Sequence, residues 1–502
     1  MISMTLNPVR VRFAPSPTGH THLGSGRTAL YNYLLARQTG GQFILRIEDT
    51  DQKRFVPNAE EELIESLHWL GLSWDEGPDV GGPYGPYRQS ERREIYQTYI
   101  NKLIDSGLAY YCFCTADRLE KVRQEQQRQK QNPRYDGTCR RLSPDEAARR
   151  VSNGEKHVVR FKMPAEGSIT VRDYIRGDIT VENTSLDDTI IVRSDGLPVY
   201  HLAAMVDDQL MKITHVIRGL EWLSTFPLHI HIIHAFGWNV PEFVHLSVFL
   251  KPSGKGKMSK RETTNHIQDG HSIFVKDLAD LGYIPEGVVN WTALMGWSYD
   301  DRTEFFVLKD LIEKFSLDKL NPAPAAINFT KLDYFNGVHI RNLELSDLAK
   351  RVKPYFINAG YPIDDEKLLK MMPIIRERLV TLDDAIPFGG FFFKDEISPD
   401  PQELIGKDMD TSASAETLRQ IVVLIETLPE FSKDTLELRI RSLVEERGLG
   451  VGQAFGILRM AVTGQKVSPP LIESMEIIGR EKVLQRIKNA IVLLEELERK
   501  QE

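Results

Sequence analysis

The sequence predicts an α/β protein: a parallel-sheet domain interrupted by an insertion, then an all-α C-terminal region. Three observations carry this prediction. A strand, a helix and a second strand fit within about forty residues near the start of the chain, the arrangement of a βαβ unit. From about residue 96 to 207 the pattern changes to short β-like runs around one very polar helix, after which the α/β pattern resumes. From about residue 336 onward nearly every segment has helical periodicity.

Val9 to Phe13 alternates like a strand and ends in Pro15-Ser16-Pro17-Thr18-Gly19. A helix is predicted over Ser25 to Thr39, with Leu30, Tyr33, Leu34 and Ala36 on its apolar face and Gly40-Gly41 as its stop. Phe43 to Ile47 is the second strand, followed by Glu48-Asp49, and Ala59 to Leu70 is the next helix. In the insertion, Leu119 to Lys130 reads as a polar helix, and His157 to Met163, Ile169 to Val171 and Thr189 to Val192 read as strands. The α/β pattern returns near Leu210 to Ile217 and Leu228 to Phe236, and a Gly/Lys/Ser loop at 252–261 follows Val248-Phe249-Leu250. The stretch 394–416 reads as a junction between two helical parts, and Glu481 to Glu502 as a charged amphipathic helix.

Composition limits the function classes. At 502 residues, 41% hydrophobic and 27% charged, the chain is neither disordered nor fibrous. Its apolar runs, such as Trp69 to Leu72, are far short of a membrane span. Met1 to Asn7 has no export or organelle signal, so the expectation is a cytoplasmic protein without a membrane partner. A net charge of −8 argues weakly against a nucleic-acid partner, but such binding depends on local patches. Between Arg118 and Arg141 eight Lys/Arg stand against three acids, a local excess of five positive charges.

Two motifs carry chemistry. In the first, prolines stiffen a turn beyond a strand end, Gly19 and Gly24 admit a ligand to the backbone, and His22 precedes a helix N-terminus suited to phosphate. The second is Lys257-Met258-Ser259-Lys260-Arg261, preceded by Ser253-Gly254-Lys255-Gly256. A lysine-rich glycine loop suits a polyphosphate that gains charge in a transition state.

Together the motifs carry a resemblance. His22-Leu23-Gly24-Ser25 resembles the HIGH motif of class I aminoacyl-tRNA synthetases, and Lys257 to Arg261 resembles their KMSKS motif, in the right order. Arg12 to Gly19, Arg46-Ile47-Glu48-Asp49-Thr50-Asp51, Gly85 to Ser90 and Val206-Asp207-Asp208 look like the glutamyl-tRNA synthetase family. The resemblance implies a Rossmann-type catalytic domain in two halves (1–95 and 208–242) around a tRNA acceptor-binding insertion (96–207). It further implies a stem-contact region bearing the lysine loop (243–335) and a helical anticodon-binding region in two parts (336–400 and 401–502).

The implied reaction is activation of L-glutamate by ATP with Mg²⁺, then transfer of the acyl group to the 3′-terminal adenosine of tRNA(Glu). The implied working form is a monomer. By resemblance, Arg12 with Tyr200 binds the side-chain carboxylate, Arg218 the α-carboxylate, Ser16 and Glu48 the α-amino group, and Ala14 lines the same pocket. Thr18, His22, Ser25, Glu221, Met258, Ser259 and Lys260 are implied at ATP, with His22, Gly24, Lys257 and Lys260 assisting the chemistry. Arg376 and Arg378 align with arginines that read the anticodon. Ser25, Ala204 and Leu220 depart from the residues common in relatives.

Cys112, Cys114 and Cys139 follow a spacing that in some bacterial relatives holds zinc as Cys-x-Cys…Cys-x-His. Here the last position is Arg141, which cannot bind a metal. This favours a metal-free remnant, the alternative being a zinc site completed by Tyr135 or a water.

Competing functions are weighed on the same residues. A shorter relative that modifies a tRNA base would lack 336–502, and a glutaminyl enzyme would be expected to end in β-barrels. A form charging both tRNA(Glu) and tRNA(Gln) stays open. A catalytically inactive RNA-binding relative is disfavoured by Arg12, His22, Glu48, Lys257 and Lys260 occurring together.

Overall fold

The computed structural model describes residues 8–51, 56–258 and 271–501. Its first nine strands run β1 (Arg10–Phe13), β2 (Gln42–Leu45), β3 (Ala109–Cys112), β4 (Val158–Phe161), β5 (Ser168–Asp173), β6 (Gly177–Glu182), β7 (Ile190–Val192), β8 (His215–Gly219) and β9 (Glu242–Leu246). The helices among and between them are α1 (Leu23–Thr39), α2 (Ala59–Trp69), α3 (Arg93–Asp105), α4 (Ala116–Arg128), α5 (Pro144–Ser152), α6 (Tyr200–Leu210) and α7 (Phe226–Ala235).

The main sheet has the order β2-β1-β8-β9-β5-β6, parallel except for the last pair. Val11, Phe43, Val216 and Val244 are fully buried, as expected for central strands covered on both faces. Each such apolar side chain stabilises the fold by roughly 1.5–3 kcal/mol relative to exposure. Helix α1 buries Leu30, Leu34 and Ala36, and stops where Gly40 takes the left-handed conformation at φ 65°. It starts at Leu23, two residues before the expected Ser25, because His22 caps it. Strand β2 ends at Leu45 rather than Ile47. Beyond that point the chain changes partner, with Ile47 N–H donating to Tyr87 O at 2.9 Å and Ile47 O accepting Gln89 N–H at 3.0 Å.

The hairpin β5–β6 comes from the expected insertion, yet it extends the main sheet: Asp173 pairs with Phe243 of β9. Burial alternates strictly along β5, while edge strand β6 is half exposed. The rest of the insertion forms a three-stranded antiparallel sheet, β3-β4-β7, and α6 runs unbroken through residue 207.

One compact unit takes the chain as far as Asp280 together with Val288–Phe329, and the other takes Leu281–Gly287 with the chain from Thr330 onward. The second unit is helical, as expected. Asp364 and Asp410 cap the helices Asp365–Ile375 and Thr411–Thr427 by accepting the amides of Lys367 and Ala413. Its two expected halves share one core, in which Phe356, Met371, Leu418, Ile425, Ile457 and Leu494 are buried together. Among the described residues no helix is long and apolar enough to cross a membrane.

Candidate active site

Neighbouring strands β1 and β8 lead into helices in opposite halves of the sheet, and the crevice beyond their carboxyl ends is where such folds bind ligands. Arg12 and Arg218 stand at those two strand ends, Glu48 just after β2 and Tyr200 at the start of α6. The turn after β1 carries Ala14, Ser16 and Thr18; Thr18 N–H donates to Ser16 O at 2.9 Å, and Glu48 N–H to Pro15 O at 2.9 Å. Those backbone bonds hold the turn against Glu48.

The floor of the site is a buried charge network. Arg12 Nε donates to Asp208 Oδ1 at 3.0 Å, Arg46 Nη1 donates to the same oxygen at 2.7 Å, and Arg46 Nη2 reaches Glu48 Oε1 at 2.9 Å. Asp207 faces the other way and accepts from Arg92 at 2.7 Å, Gln89 at 2.8 Å and Tyr96 at 2.8 Å. Burial alone would raise the Asp208 carboxyl, but Arg12 and Arg46 outweigh it and hold the group below its usual range. At Glu48 burial prevails over Arg46 and Arg12 and pushes the carboxyl up to about 7.

Arg218 is also buried. It donates through Nε to His245 Nε2 at 2.9 Å and through Nη1 to the Tyr200 hydroxyl at 3.2 Å, and meets His229 Nδ1 at 3.0 Å. Tyr200 stacks on Trp222, with centroids 3.9 Å apart. Arg12, Glu48, Tyr200 and Arg218 therefore converge as expected, although Arg12 is already engaged by Asp208.

The two motifs meet on α1. His22 Nδ1 accepts Gly24 N–H at 2.9 Å, which leaves the neutral ring's proton on Nε2. A Cβ at Gly24 would lie 3.3 Å from that Nδ1, so the glycine keeps the ring in place. Ser25 N–H closes the first turn onto His22 O at 2.8 Å. The Glu221 carboxylate packs so tightly on Gly219 that a Cβ there would come within 2.3 Å of it.

Arg27, on the next turn of α1, lies over the Phe249 ring at 4.1 Å and donates to Met295 O at 2.7 Å and to Ser247 O. Phe249 O accepts Met258 N–H at 2.9 Å, and Lys257 is exposed on the same hairpin. Arg27 thus ties the helix capped by His22 to the root of the lysine loop. Ser259 and Lys260 lie outside the described residues.

Away from the crevice, the Sγ atoms of Cys112, Cys114 and Cys139 lie within 4.8 Å of one another, the last two 3.5 Å apart. The Tyr135 hydroxyl is 3.4 Å from Cys112 Sγ and 3.6 Å from Cys114 Sγ. Tetrahedral zinc with Zn–S of about 2.3 Å places its sulfurs about 3.8 Å apart, so three thiols and a phenol fit the ion. Arg141, the fourth position by spacing, is exposed.

In the basic segment Arg118 pairs with Asp136 and Arg140 with Asp188, so part of the positive excess is spent inside the protein. Helix α4 buries none of its side chains. Arg376 and Arg378 share a tight turn after the helix Asp365–Ile375; Arg376 meets Glu377 at 3.3 Å and Arg378 lies 5.8 Å from the Phe388 ring centroid.

Sequence reasoning missed Asp208, Arg46, Arg27, Trp222, His229 and His245 as parts of the site, together with Asp173 and His201 behind them, 2.7 Å from His245 and 2.9 Å from His229. Arg46 and Asp208 stood inside quoted motifs, and their being charged within otherwise apolar, buried elements was the available signal.

The model for "tRNA synthetases class I (E and Q), catalytic domain" matches residues 8–334, and that for "Anticodon binding domain" matches 347–491. The glutamate–tRNA ligase of Dehalococcoides mccartyi is 45% identical over 98% of this chain and 99% of its own. That of Roseiflexus sp. is 44% identical over 96% of each. A crystal structure of a glutamate tRNA ligase from Elizabethkingia meningosepticum, in complex with its amino acid, superposes with a TM-score of 0.88 at 37% identity. The match covers 97% of this chain and 99% of that one.

Proposed function

This chain belongs to the glutamate–tRNA ligase family of class I aminoacyl-tRNA synthetases, and on that premise we propose how its residues divide the work. The enzyme joins glutamate to tRNA in two steps. An α-carboxylate oxygen of glutamate attacks the α-phosphorus of ATP, forming glutamyl-adenylate and releasing pyrophosphate. A hydroxyl of the 3′-terminal adenosine of tRNA then attacks the carbonyl and releases AMP. Such chemistry calls for positioning and charge stabilisation rather than covalent catalysis.

The observation that carries the assignment is a count of charges at the strand ends. Two buried guanidiniums, Arg12 and Arg218, suit the two carboxylates of glutamate, and the Glu48 carboxylate suits its ammonium. Glutamine would leave Arg12 facing an amide and lose a charge-assisted contact. Tyr200 backs Arg218, and Ala14 and Ser16 border the pocket.

His22 presents its Nε2 proton to the ATP phosphates at the positive end of α1, with Thr18, Gly24, Ser25 and Glu221 around the nucleotide. Lys257, Met258, Ser259 and Lys260 cover the triphosphate, and Mg²⁺ enters on its oxygens. Cys112, Cys114, Cys139 and Tyr135 would hold a zinc ion, whose contribution is to clamp β3 to the turn Cys139–Arg141.

In this reading residues 1–95 and 208–242 form the catalytic halves, joined by the β5–β6 hairpin and by α6 from Tyr200, and the rest of 96–207, with α4, faces the acceptor end. Residues 243–335 contact the stem, and 336–400 and 401–502, with Arg376 and Arg378, read the anticodon. The working form is a monomer in the cytoplasm. Aminoacylation of purified tRNA(Glu) and tRNA(Gln) is the test. Charging of tRNA(Glu) alone is expected; charging of both identifies the relaxed form, and charging of neither overturns the reading.

A further inference from the structure

Behind Arg218 lies a line of buried side chains that neither signature motif contains. A guanidinium has no acceptor, so the nitrogens it meets, His245 Nε2 at 2.9 Å and His229 Nδ1 at 3.0 Å, must each offer a lone pair. This fixes both tautomers. His245 carries its proton on Nδ1 and donates it to Asp173 Oδ2 at 2.7 Å. His229 carries its proton on Nε2 and donates it to His201 Nδ1 at 2.9 Å.

Asp173 is itself held rigidly. Its Oδ2 also accepts His245 N–H at 3.0 Å, and its Oδ1 accepts the amides of Ile175 at 3.1 Å and Arg176 at 3.0 Å. It ends β5, the strand that joins the sheet through Phe243, so the hairpin from the insertion supplies the anchor of the line. An apolar core would pack leucines here. Instead four polar side chains, Asp173, His245, His229 and His201, run in one donor-to-acceptor order on either side of one arginine.

We propose that His245 and His229 are positioning residues for the amino-acid substrate, fixing the fork of Arg218 by accepting two of its five N–H groups from behind. Tyr200 takes a third, through Nη1. One N–H remains on each terminal nitrogen, the pair a carboxylate needs for bidentate binding. Both histidines serve only while neutral, because a second ring proton would set N–H against N–H. Burial keeps them so: it holds His245 and His229 below the usual histidine range, with the charge of Arg218 adding to the effect. The inference rests on the reading of Arg218 as the α-carboxylate ligand.

The test uses amides of different reach in the full chain, read by tRNA-dependent ATP–pyrophosphate exchange. Asparagine sets its oxygen near the place of a histidine Nδ1, and glutamine near that of Nε2. His229→Asn is therefore expected to keep the contact to Arg218 that His229→Gln loses, and His245→Gln to keep the contact that His245→Asn loses. The expected result is a crossover: at each position the KM for glutamate is about tenfold lower with the matching amide than with the other. The KM for ATP stays within about twofold throughout. A purely structural role would rank the amides by size, alike at both positions. Thermal unfolding screens each protein, and the His229 pair decides alone if a His245 variant fails to fold, because size alone would favour glutamine at 229.

Equal glutamate KM values for the two amides, or the same amide favoured at both positions, would overturn the proposal. Arg218→Ala separates it from the reading beneath. A raised glutamate KM there without the crossover defeats the histidine roles alone, whereas an unchanged KM removes the assignment of Arg218 as well.

Discussion

Arg12 meets Asp208 through two contacts, Nε to Oδ1 at 3.0 Å and Nη2 to Oδ2 at 3.4 Å, with both side chains out of water. The arginine reserved for the substrate is thus oriented before substrate arrives. Asp208 also accepts Arg46 at 2.7 Å, so one carboxylate orients two cations at once.

Arg12→Ala separates two effects. Loss of the substrate contact is expected to raise the KM for glutamate by about 10²-fold or more while ATP binding survives. Loss of the ion pair is expected to lower stability by less than the roughly 3–5 kcal/mol of a fully orphaned buried charge, since Asp208 keeps Arg46 at 2.7 Å. Adding Asp208→Ala is expected to lower stability further, because Arg46 then loses that partner, and to restore none of the glutamate affinity. Calorimetry and separate ligand titrations read both. Recovery of glutamate binding in the double variant would contradict the role of Arg12.

Glu48 sets a pH dependence. Its carboxyl is raised to about 7 by burial, against roughly 4.3 for an unfolded chain. The sign follows from linkage: the stabilisation from this group is fully present below about pH 4.3 and is lost as pH rises through about 7. Substrate binding runs the opposite way, because the ammonium of glutamate needs the carboxylate. The kcat/KM for glutamate is expected to rise through about pH 7 and then level off, and Glu48→Gln to be low and flat. A wild-type profile flat from pH 6 to 8 would remove Glu48 from this task.

The crevice was legible where chemistry lies in contiguous residues. The turn after β1, the cap at His22 and the lysine hairpin are local, and the sequence positions of Arg12, Glu48 and Arg218 follow from them by family pattern. What stayed hidden is pairing across long separations. Asp173 faces His245, and Arg12 faces Asp208, from elements joined only by the fold. An aspartate buried against arginine reads in sequence like any surface acid. For the same reason Ile169 to Val171 was recognisable as a strand, but not as a strand of the catalytic sheet, whose partner is some seventy positions away. Tyr135 differs: its contact with the cysteines was an open alternative in the sequence, and only side-chain geometry puts its hydroxyl beside the thiols.

His22 has two duties that substitution can separate. Its Nδ1 caps α1 through Gly24 N–H at 2.9 Å, and its Nε2 is assigned to ATP. His22→Asn keeps an acceptor near the Nδ1 position, so its thermal midpoint is expected near wild type. His22→Ala loses the cap and about 1 kcal/mol. Adenylate formation is expected to fall by about 10²-fold in both. A fully active asparagine variant would limit His22 to capping.

The thiol cluster makes a metal prediction. Zinc bound by Cys112, Cys114, Cys139 and Tyr135 is expected at one ion per chain by emission spectrometry, with release on chelation lowering the thermal midpoint. Tyr135→Phe is expected to weaken zinc binding about 10-fold or more while leaving three thiols titratable. A purified chain without stoichiometric zinc would establish the thiol–phenol cluster as metal-free.

Arg27 offers the sharpest separation of nucleotide from amino-acid effects. Buried on α1, it holds Met295 O at 2.7 Å and the Phe249 ring at 4.1 Å, and Phe249 O in turn holds Met258 N–H. Burial depresses its guanidinium, so its carbonyl and ring contacts are made against a desolvation cost. Methionine fills a similar volume but leaves Met295 O and Ser247 O without their donor, at about 1–3 kcal/mol each. Arg27→Met is therefore expected to fold with a lowered thermal midpoint, and its rates are read well below that midpoint. Released from α1, the strand root no longer sets the lysine hairpin over ATP. The rate of adenylate formation is expected to fall about 10-fold or more, with the glutamate KM within about twofold. Lys260→Ala should depress the same step further, by orders of magnitude. Pre-steady-state measurement of adenylate formation reads both variants, and a wild-type rate in Arg27→Met would show that the two motifs act without this tie.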